Sequence, residues 1–248
     1  MVILKTKEET ELVRISASLV AEALILMRNK VEVGITTAEL NRIADRFAYD
    51  NGATPGFKGY RGFPFAICSS RDDEIVHGFP SNVPLADGTI LSIDFGILKN
   101  GYYGDAAITF PIGDVSEAAL NLIKITEECL YKGIEQAVPG NRVGDISYAI
   151  QSHGESNGYS VVKRFVGHGI GRNLHEAPQI PNFGRAGKGT LLKEGMIIAI
   201  EPMLTIGSAD TKTMSDGWTV RTKDGGLAAH FEHTIAITKN GPEILSII

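Results

Sequence analysis

Read for the spacing of its apolar positions, the chain opens on a helix. Thr6 and Glu9 stand at capping-box spacing, and Leu12, Ile15, Leu19, Ala23 and Met27 follow at helical period. Thr36 and Glu39 repeat the start signal. Leu40, Ile43, Ala44 and Phe47 form the next apolar stripe, which Asn51-Gly52 stops. A Gly/Pro-rich stretch runs from Thr54-Pro55-Gly56 to Gly62-Phe63-Pro64, and its Phe57, Tyr60 and Phe63 are the aromatics of a loop that lines something. Residues 65–68 read as a short strand. Residues 90–95 read as another, extending to Lys99-Asn100-Gly101. Asn-Gly is a strong hairpin signal, so a return strand is expected over 103–110.

The second half has the same texture. Residues 116–138 predict a helix stopped by Pro139-Gly140, and 145–156 predict another ended by Gly158. Strands are expected over 161–166, 197–201 and 230–238. Helix, helix, strand, strand pair thus occurs twice. Ile93-Asp94 resembles Ile200-Glu201, and residues 105–109 loosely resemble 232–238. Each half offers one carboxylate after an apolar run and one on a later strand. This reads as an internal duplication with pseudo-twofold symmetry, halves at about 1–112 and 113–248, the rival being coincidence among short apolar strands. No low-complexity linker separates them, so one domain is expected over 1–248.

Composition narrows the class. With 43% apolar and 21% charged residues the chain is ordinary globular material, not a disordered segment. A net charge of -5 argues against a dedicated nucleic-acid binder. Cys68 and Cys129 form no CxxC pair and no disulfide framework, which fits free thiols in a reducing compartment. The apolar start is too short for a signal peptide, and no run approaches the ~20 residues that cross a bilayer. A soluble cytoplasmic protein is the expectation.

Five residues carry the chemistry: Asp94, Asp105, His168, Glu201 and Glu232. Asp94, Glu201 and Glu232 interrupt or end strongly apolar strands, where an unpaired buried carboxylate costs several kcal/mol. One such acid alone reads as surface-facing or ion-paired. Four acids and a histidine, distributed as mirror images with few basic residues nearby, point to a pair of divalent cations. Mixed oxygen and imidazole ligands suit Mn, Fe, Co or Zn better than Mg or Ca. His77, His168 and His175 sit in Gly- or Pro-marked loops, where glycine allows close approach of a backbone or substrate. His153 and His230 have no such setting and read as structural. His233 follows Glu232 and faces the other way in a regular strand, so it too reads as structural.

In order along the chain stand VHGFP (76–80), LSIDFG (91–96), GDAAITF (104–110), GHGIGRNLHEAPQIP (167–181), IAIEPM (198–203), DGWTVRTKDG (216–225) and FEHTIAIT (231–238). Any one is weak; together they span nearly the whole chain. The sequence closely resembles the type I methionine aminopeptidases in their short bacterial form, without an N-terminal zinc-finger extension. The resemblance implies an α+β pita-bread (creatinase/aminopeptidase) fold, a curved pseudo-symmetric antiparallel sheet covered by helices. It implies that Asp105 and Glu232 bridge two divalent ions, that Asp94 chelates one, and that His168 and Glu201 complete the other.

The activity implied is removal of N-terminal methionine from nascent proteins and peptides, with a small second residue preferred. Glu201 is implied as the group that takes and relays a proton, His175 as oxyanion stabiliser, and His77 as partner of the scissile amide or leaving group. Phe57, Tyr60, Phe63, Cys68 and Trp218 match the methionine pocket; each also fits a core position. The chain departs from the family at Asp72-Asp73, where Asn-Glu is usual, at Arg71, at Leu174 and at Phe57. These changes put the breadth of substrate choice in doubt. Rival readings are a proline dipeptidase or aminopeptidase P, relatives with a large extra N-terminal domain, and a non-catalytic binding protein, which would be expected to lose ligands that are all present here. The expected partners are N-termini of nascent chains, with transient ribosome association. A monomer is expected, with no membrane or nucleic-acid partner.

Overall fold

The computed structural model describes residues 2–247. Its helices are α1 (Lys7–Arg28), α2 (Thr37–Asp50), α3 (Glu117–Glu135) and α4 (Val143–Ser156). The strands are β1 (Thr54–Pro55), β2 (Ile67–Arg71), β3 (Glu74–Val76), β4 (Ile90–Lys99), β5 (Tyr102–Pro111), β6 (Ser160–Val161), β7 (Gly167–Gly169), β8 (Glu176–Ile180), β9 (Ile197–Ile200), β10 (Met203–Thr205), β11 (Thr211–Thr213), β12 (Val220–Thr222), β13 (Ala228–His230), β14 (Glu232–Thr238) and β15 (Gly241–Ile244). A nine-stranded sheet runs β1-β4-β5-β14-β9-β7-β8, with β2 also on β4 and β15 also on β14. The β5–β14 seam joins the two halves of the chain, through Glu232↔Ala107 and His233↔Ala106.

Local chemistry sets the ends of the helices. Thr6 accepts from the Glu9 amide while the Glu9 carboxylate accepts from the Thr6 amide, a complete capping box. Thr36 and Ser116 cap α2 and α3 in the same donor-acceptor sense. The β4–β5 turn puts Asn100 and Gly101 at φ 52° and 78°, as a two-residue type I′ hairpin requires.

Period-2 alternation then sorts the sheet into two faces. Leu91, Ile93, Phe95 and Ile97, with Ala106 and Phe110 opposite, bury against α1 and α2. Ile198, Ile200, Ile235 and Ile237 bury against α3 and α4. The helices therefore cover one face through two adjoining cores, and the other face is left for the acids.

Four expected elements differ from their observed form. The strand expected at 65–68 begins at Ile67, because the Ala66 and Ile67 amides first bond the Asn41 side chain of α2. The helix expected over 116–138 closes at Glu135, three residues short, with Gln136 as its C-cap. The strand expected at 161–166 is reduced to β6; Val162 still bonds to Met203, but Lys163 and Arg164 run exposed. The strand expected over 230–238 is two strands: β13 pairs in a three-stranded sheet with β10, and the chain crosses to the main sheet at Phe231. Its neighbour switches sheets at the same level, where Glu201-Pro202 lies between β9 and β10. Proline has no amide to donate to a ladder, so the break falls there.

Gly104 lies on the helix-covered face of β5, and a Cβ there would strike the Ala17 and Ser16 backbone of α1. Gly104→Ala should therefore destabilise the protein by about 1–3 kcal/mol by forcing helix from sheet, read as a lowered urea midpoint. An unchanged midpoint would show that α1 moves away freely.

Candidate active site

Strand register brings the acids together. Asp94 pairs with Ala107 across β4–β5, and Glu232 pairs with the same Ala107 from the other side. Asp105 lies two residues before Ala107, so all three carboxylates project from one face. His168 pairs with Ala199, and Glu201 follows Ala199 by two. The sheet switch at Pro202 leaves Glu201 at the rim of this face. The result is a cavity of about 150 Å³ lined by Asp94, Asp105, His168, Glu201 and Glu232 at its base.

These acids lack counter-charges. Asp105, His168 and Glu232 each offer a ligand atom within 4.8 Å of the others. His168 Nε2 lies 4.0 Å from Asp105 Oδ2 and 3.8 Å from Glu201 Oε1. One oxygen each of Asp94, Asp105 and Glu232 is buried without any hydrogen-bond partner. Burial pushes Asp94 up to about 7 and Glu201 up to about 8, with the Asp94 charge adding to the latter. Asp105 is driven well above the carboxylate range by burial and then by the charges of Asp94 and Glu201, and Glu232 by burial and then by those of Asp105, Glu201 and Asp94. Orphaned carboxylate oxygens converging on an imidazole nitrogen are the donor set of a divalent transition-metal site, and the residues present fit one.

His168 presents an unprotonated nitrogen to the acids. Its Nδ1 is 3.0 Å from the Gly169 carbonyl, which can only accept, so Nδ1 carries the proton and Nε2 faces the acids with its lone pair. Burial lowers its pKa to about 4, which keeps the ring neutral.

The other two loop histidines flank this centre. The His175 ring lies 4.2 Å from His168, centroid to centroid, and its Nδ1 is 2.9 Å from the Tyr60 hydroxyl. The turn that carries it is tied down by a buried ion pair: Lys5 Nζ meets Glu176 Oε2 at 2.6 Å, while Glu176 Oε1 accepts from the Asn173 amide. His77 holds φ 60°, unusual for a non-glycine residue. Gly78 beside it lies so close to the Ser69 backbone that a Cβ would collide. Burial lowers His77 to about 4 and His175 to about 3.

Aromatic residues wall the cavity. Phe63 meets Trp218 edge to face at 5.1 Å, Trp218 meets His77 at 6.1 Å, and Phe57, Tyr60 and Cys68 complete the lining. The Cys68 thiol is pushed well up by burial and by the nearby acids, so it packs as a small hydrophobe. Phe57 and Leu174, two departures from the family pattern, line the cavity; Arg71, Asp72 and Asp73 do not. Asp72 sits at φ 51° in the β2–β3 turn and accepts from the Ile90 amide, and Asp73 pairs with Arg221.

One residue was missed. His230, read from sequence as structural, is buried with Nε2 3.9 Å from Glu201 Oε2 and without a hydrogen-bond partner. The break at Phe231 turns it toward the site, and a single apolar strand over 230–238 gives no sign of that break. His233 does face away, with Nδ1 at 2.9 Å from Ser246, and His153 pairs with Glu128 on the α3–α4 surface.

Comparison with known proteins places these residues in context. The Metallopeptidase family M24 profile matches residues 11–239. A methionine aminopeptidase of Clostridium perfringens is 54% identical over the whole of both chains. The crystal structure of methionine aminopeptidase from Rickettsia prowazekii superposes with TM-score 0.98 at 42% identity, covering 100% of both chains. The prolidase of Pyrococcus furiosus shares the fold at TM-score 0.80 and 25% identity, over 99% of this chain but 66% of its own. The architecture is the pita-bread fold.

The raised carboxylates make a pH prediction for chelator-stripped protein. Asp94 and Glu201 titrate near 7 and 8 when folded but near ~4 when unfolded, so their contribution is present at low pH and is lost as pH rises through 7–8. His77, His168, His175 and His230, lowered to about 3–4, act oppositely, but only below about 6.5. Between pH 6.5 and 8.5 the stripped protein should therefore lose Tm as pH rises, and added Mn or Co should raise Tm most at the alkaline end, where the ligands ionise most readily. A flat stripped profile in thermal scans would contradict the burial of unneutralised acids.

Proposed function

The chain belongs to Metallopeptidase family M24 and removes N-terminal methionine from peptides, and from that premise we propose which of its residues do the work. One observation carries the assignment: four carboxylates, Asp105 and Glu232 buried and Asp94 and Glu201 part-buried, meet one neutral imidazole in a single aromatic-walled cavity, and among the described residues no lysine or arginine forms an ion pair with any of them. Asp94, Asp105, His168, Glu201 and Glu232 would hold two divalent ions, Co, Mn, Fe or Zn. When bound, such a pair supplies a Lewis acid for the scissile carbonyl, a docking point for a free α-amine, and a water with pKa near ~7.

The chain's own groups do the rest. Glu201, at the rim of the acidic cluster, takes the proton of the attacking water and relays it to the leaving amine. With the Tyr60 hydroxyl donating to Nδ1, His175 presents Nε2–H to the carbonyl oxygen as negative charge develops there. His77, on the opposite flank, bonds the scissile amide. Phe57, Tyr60, Phe63, Cys68 and Trp218 enclose the methionine side chain by apolar and sulfur–aromatic contact, worth about 1.5–3 kcal/mol for the burial. His77 and the acidic cluster crowd the next position, which favours a small second residue.

We read residues 1–248 as one catalytic domain of two related halves, meeting at the β5–β14 seam. Its setting would be the cytoplasm, where it would act as a monomer on nascent chains, with transient contact to the ribosome. Among the described residues no helix is long and apolar enough to cross a membrane.

Methionine should be released from Met-Ala-Ser only with metal present, and Ala-Pro should not be cut. Glu201→Gln should lower kcat by roughly 10²–10⁴-fold. His77→Ala should lower it as well, both at matched metal content by elemental analysis; near wild-type rates in both would overturn the roles. Tyr60→Phe removes the hydroxyl that fixes the His175 tautomer, and should lower kcat about fivefold, the value of one hydrogen bond, without raising KM.

A further inference from the structure

Positive charge stands at the cavity wall at Arg61 and, one residue removed from His77, at Arg164. Arg61 lines the cavity and is exposed; its guanidinium carbon lies 5.3 Å from the Tyr60 ring centroid, and Tyr60 is the residue bonded to His175. On the other flank Arg164 is exposed and lies 5.3 Å from the Phe165 ring centroid, and Phe165 stands edge-on to His77 at 5.4 Å. Each arginine is therefore one aromatic contact away from one of the two flanking histidines. His77 and His175 owe their lowered pKa values first to burial, but His77 also feels the Arg164 charge and His175 the Arg61 charge.

Neither guanidinium has a carboxylate partner among the described residues, in a chain whose net charge is -5. Arg164 donates to the Thr213 hydroxyl at 3.1 Å. The acids of the turns that carry His175 and Trp218 are occupied. Glu176 is taken by Lys5, and Asp216, in the turn before Trp218, accepts from the Trp218 and Thr219 amides and the Thr219 hydroxyl. Arg61 also holds φ 50°, a backbone conformation few non-glycine residues adopt.

On the functional reading above, on which this inference rests, His77 and His175 contact the scissile amide and its oxygen. The polypeptide beyond that bond must then leave between the two flanks. We propose that Arg61 and Arg164 form a rim subsite for acidic side chains, so that the enzyme favours substrates with aspartate or glutamate at the third or fourth residue. A guanidinium fork matches a carboxylate in two parallel hydrogen bonds. Cation–π contact with Tyr60 and Phe165 restrains each guanidinium before substrate arrives, which lessens the ordering cost of binding. Exposed ion pairs contribute modestly, so the two together should give roughly three- to tenfold in kcat/KM, fading with salt.

The test uses the metal-loaded full chain and four peptide amides: Met-Ala-Asp-Ser, Met-Ala-Ser-Asp, Met-Ala-Asn-Ser and Met-Ala-Lys-Ser. Methionine release is followed at about 0.05 M and about 0.5 M salt. The aspartate peptides should exceed the asparagine peptide by roughly three- to tenfold at low salt, mostly through KM. The ratio should fall toward one at high salt and in the Arg61→Gln/Arg164→Gln double variant. Arg61→Glu should shift preference toward the lysine peptide. An aspartate-to-asparagine ratio of one or less in the wild type overturns the subsite, as does an unchanged ratio in the double variant. A preference that tracks a free C-terminal carboxylate (Met-Ala-Asn-Ser acid over its amide) and ignores the side chain also overturns it. Failure to release methionine from any of the four peptides would sink the underlying functional reading instead.

Discussion

Placing carboxylates on a dry sheet face without counter-charge is the constraint from which the rest of this molecule follows. Four acids project from the side of the sheet that the helices leave uncovered, and three of them keep a buried oxygen with no partner. Each such oxygen costs free energy that packing elsewhere must offset. The helix-covered face provides that support. It is continuous aliphatic surface, with Ile93, Phe95 and Ile97 on one side of the seam and Ile198, Ile200 and Ile235 on the other, all fully buried. Polar strain and apolar packing occupy alternate residues of the same strands, so neither can shift register without the other.

The flanking groups show a second principle, that reactive side chains are held through their neighbours. His168 is oriented by a backbone carbonyl, His175 by the Tyr60 hydroxyl, and His77 by an unusual backbone angle beside a glycine that tolerates no Cβ. Sheet, loop and turn thus deliver three imidazoles by three different devices. Only the backbone carbonyl is insensitive to side-chain substitution, and it belongs to the histidine closest to the acids.

Much of this is legible in the sequence because it is local. Caps at Thr6 and Thr36 and the Asn100-Gly101 turn depend on residues within four positions of each other, and those helices and the hairpin appear close to where the signals put them. The acids are legible because a carboxylate stands out against an apolar run. What is not legible depends on pairing between distant segments. His230 reaches the site only because β13 pairs with β10 while β14 pairs with β9, and nothing in residues 228–238 marks that change of partner. Residues 161–166 look like a strand by composition, yet of this stretch the ladder with β10 takes in only Val161, beside Ser160, leaving Lys163 and Arg164 outside it. Asp72 and Asp73 look like neighbours of the reactive loop because they precede His77 closely; in space they build a turn that faces Ile90 and Arg221.

The Lys5–Glu176 pair has an evolutionary consequence. Both partners are almost wholly withdrawn from water, and removing one from such a pair leaves a lone charge at a cost of about 3–5 kcal/mol, whereas exchanging both for apolar side chains of like volume is often neutral. Positions 5 and 176 are therefore a single heritable character written at two distant places in the chain. Descendant lineages should drift across them jointly or not at all, and a chimera that joins the N-terminal strap of one lineage to the histidine turn of another inherits a mismatch that neither parent carries.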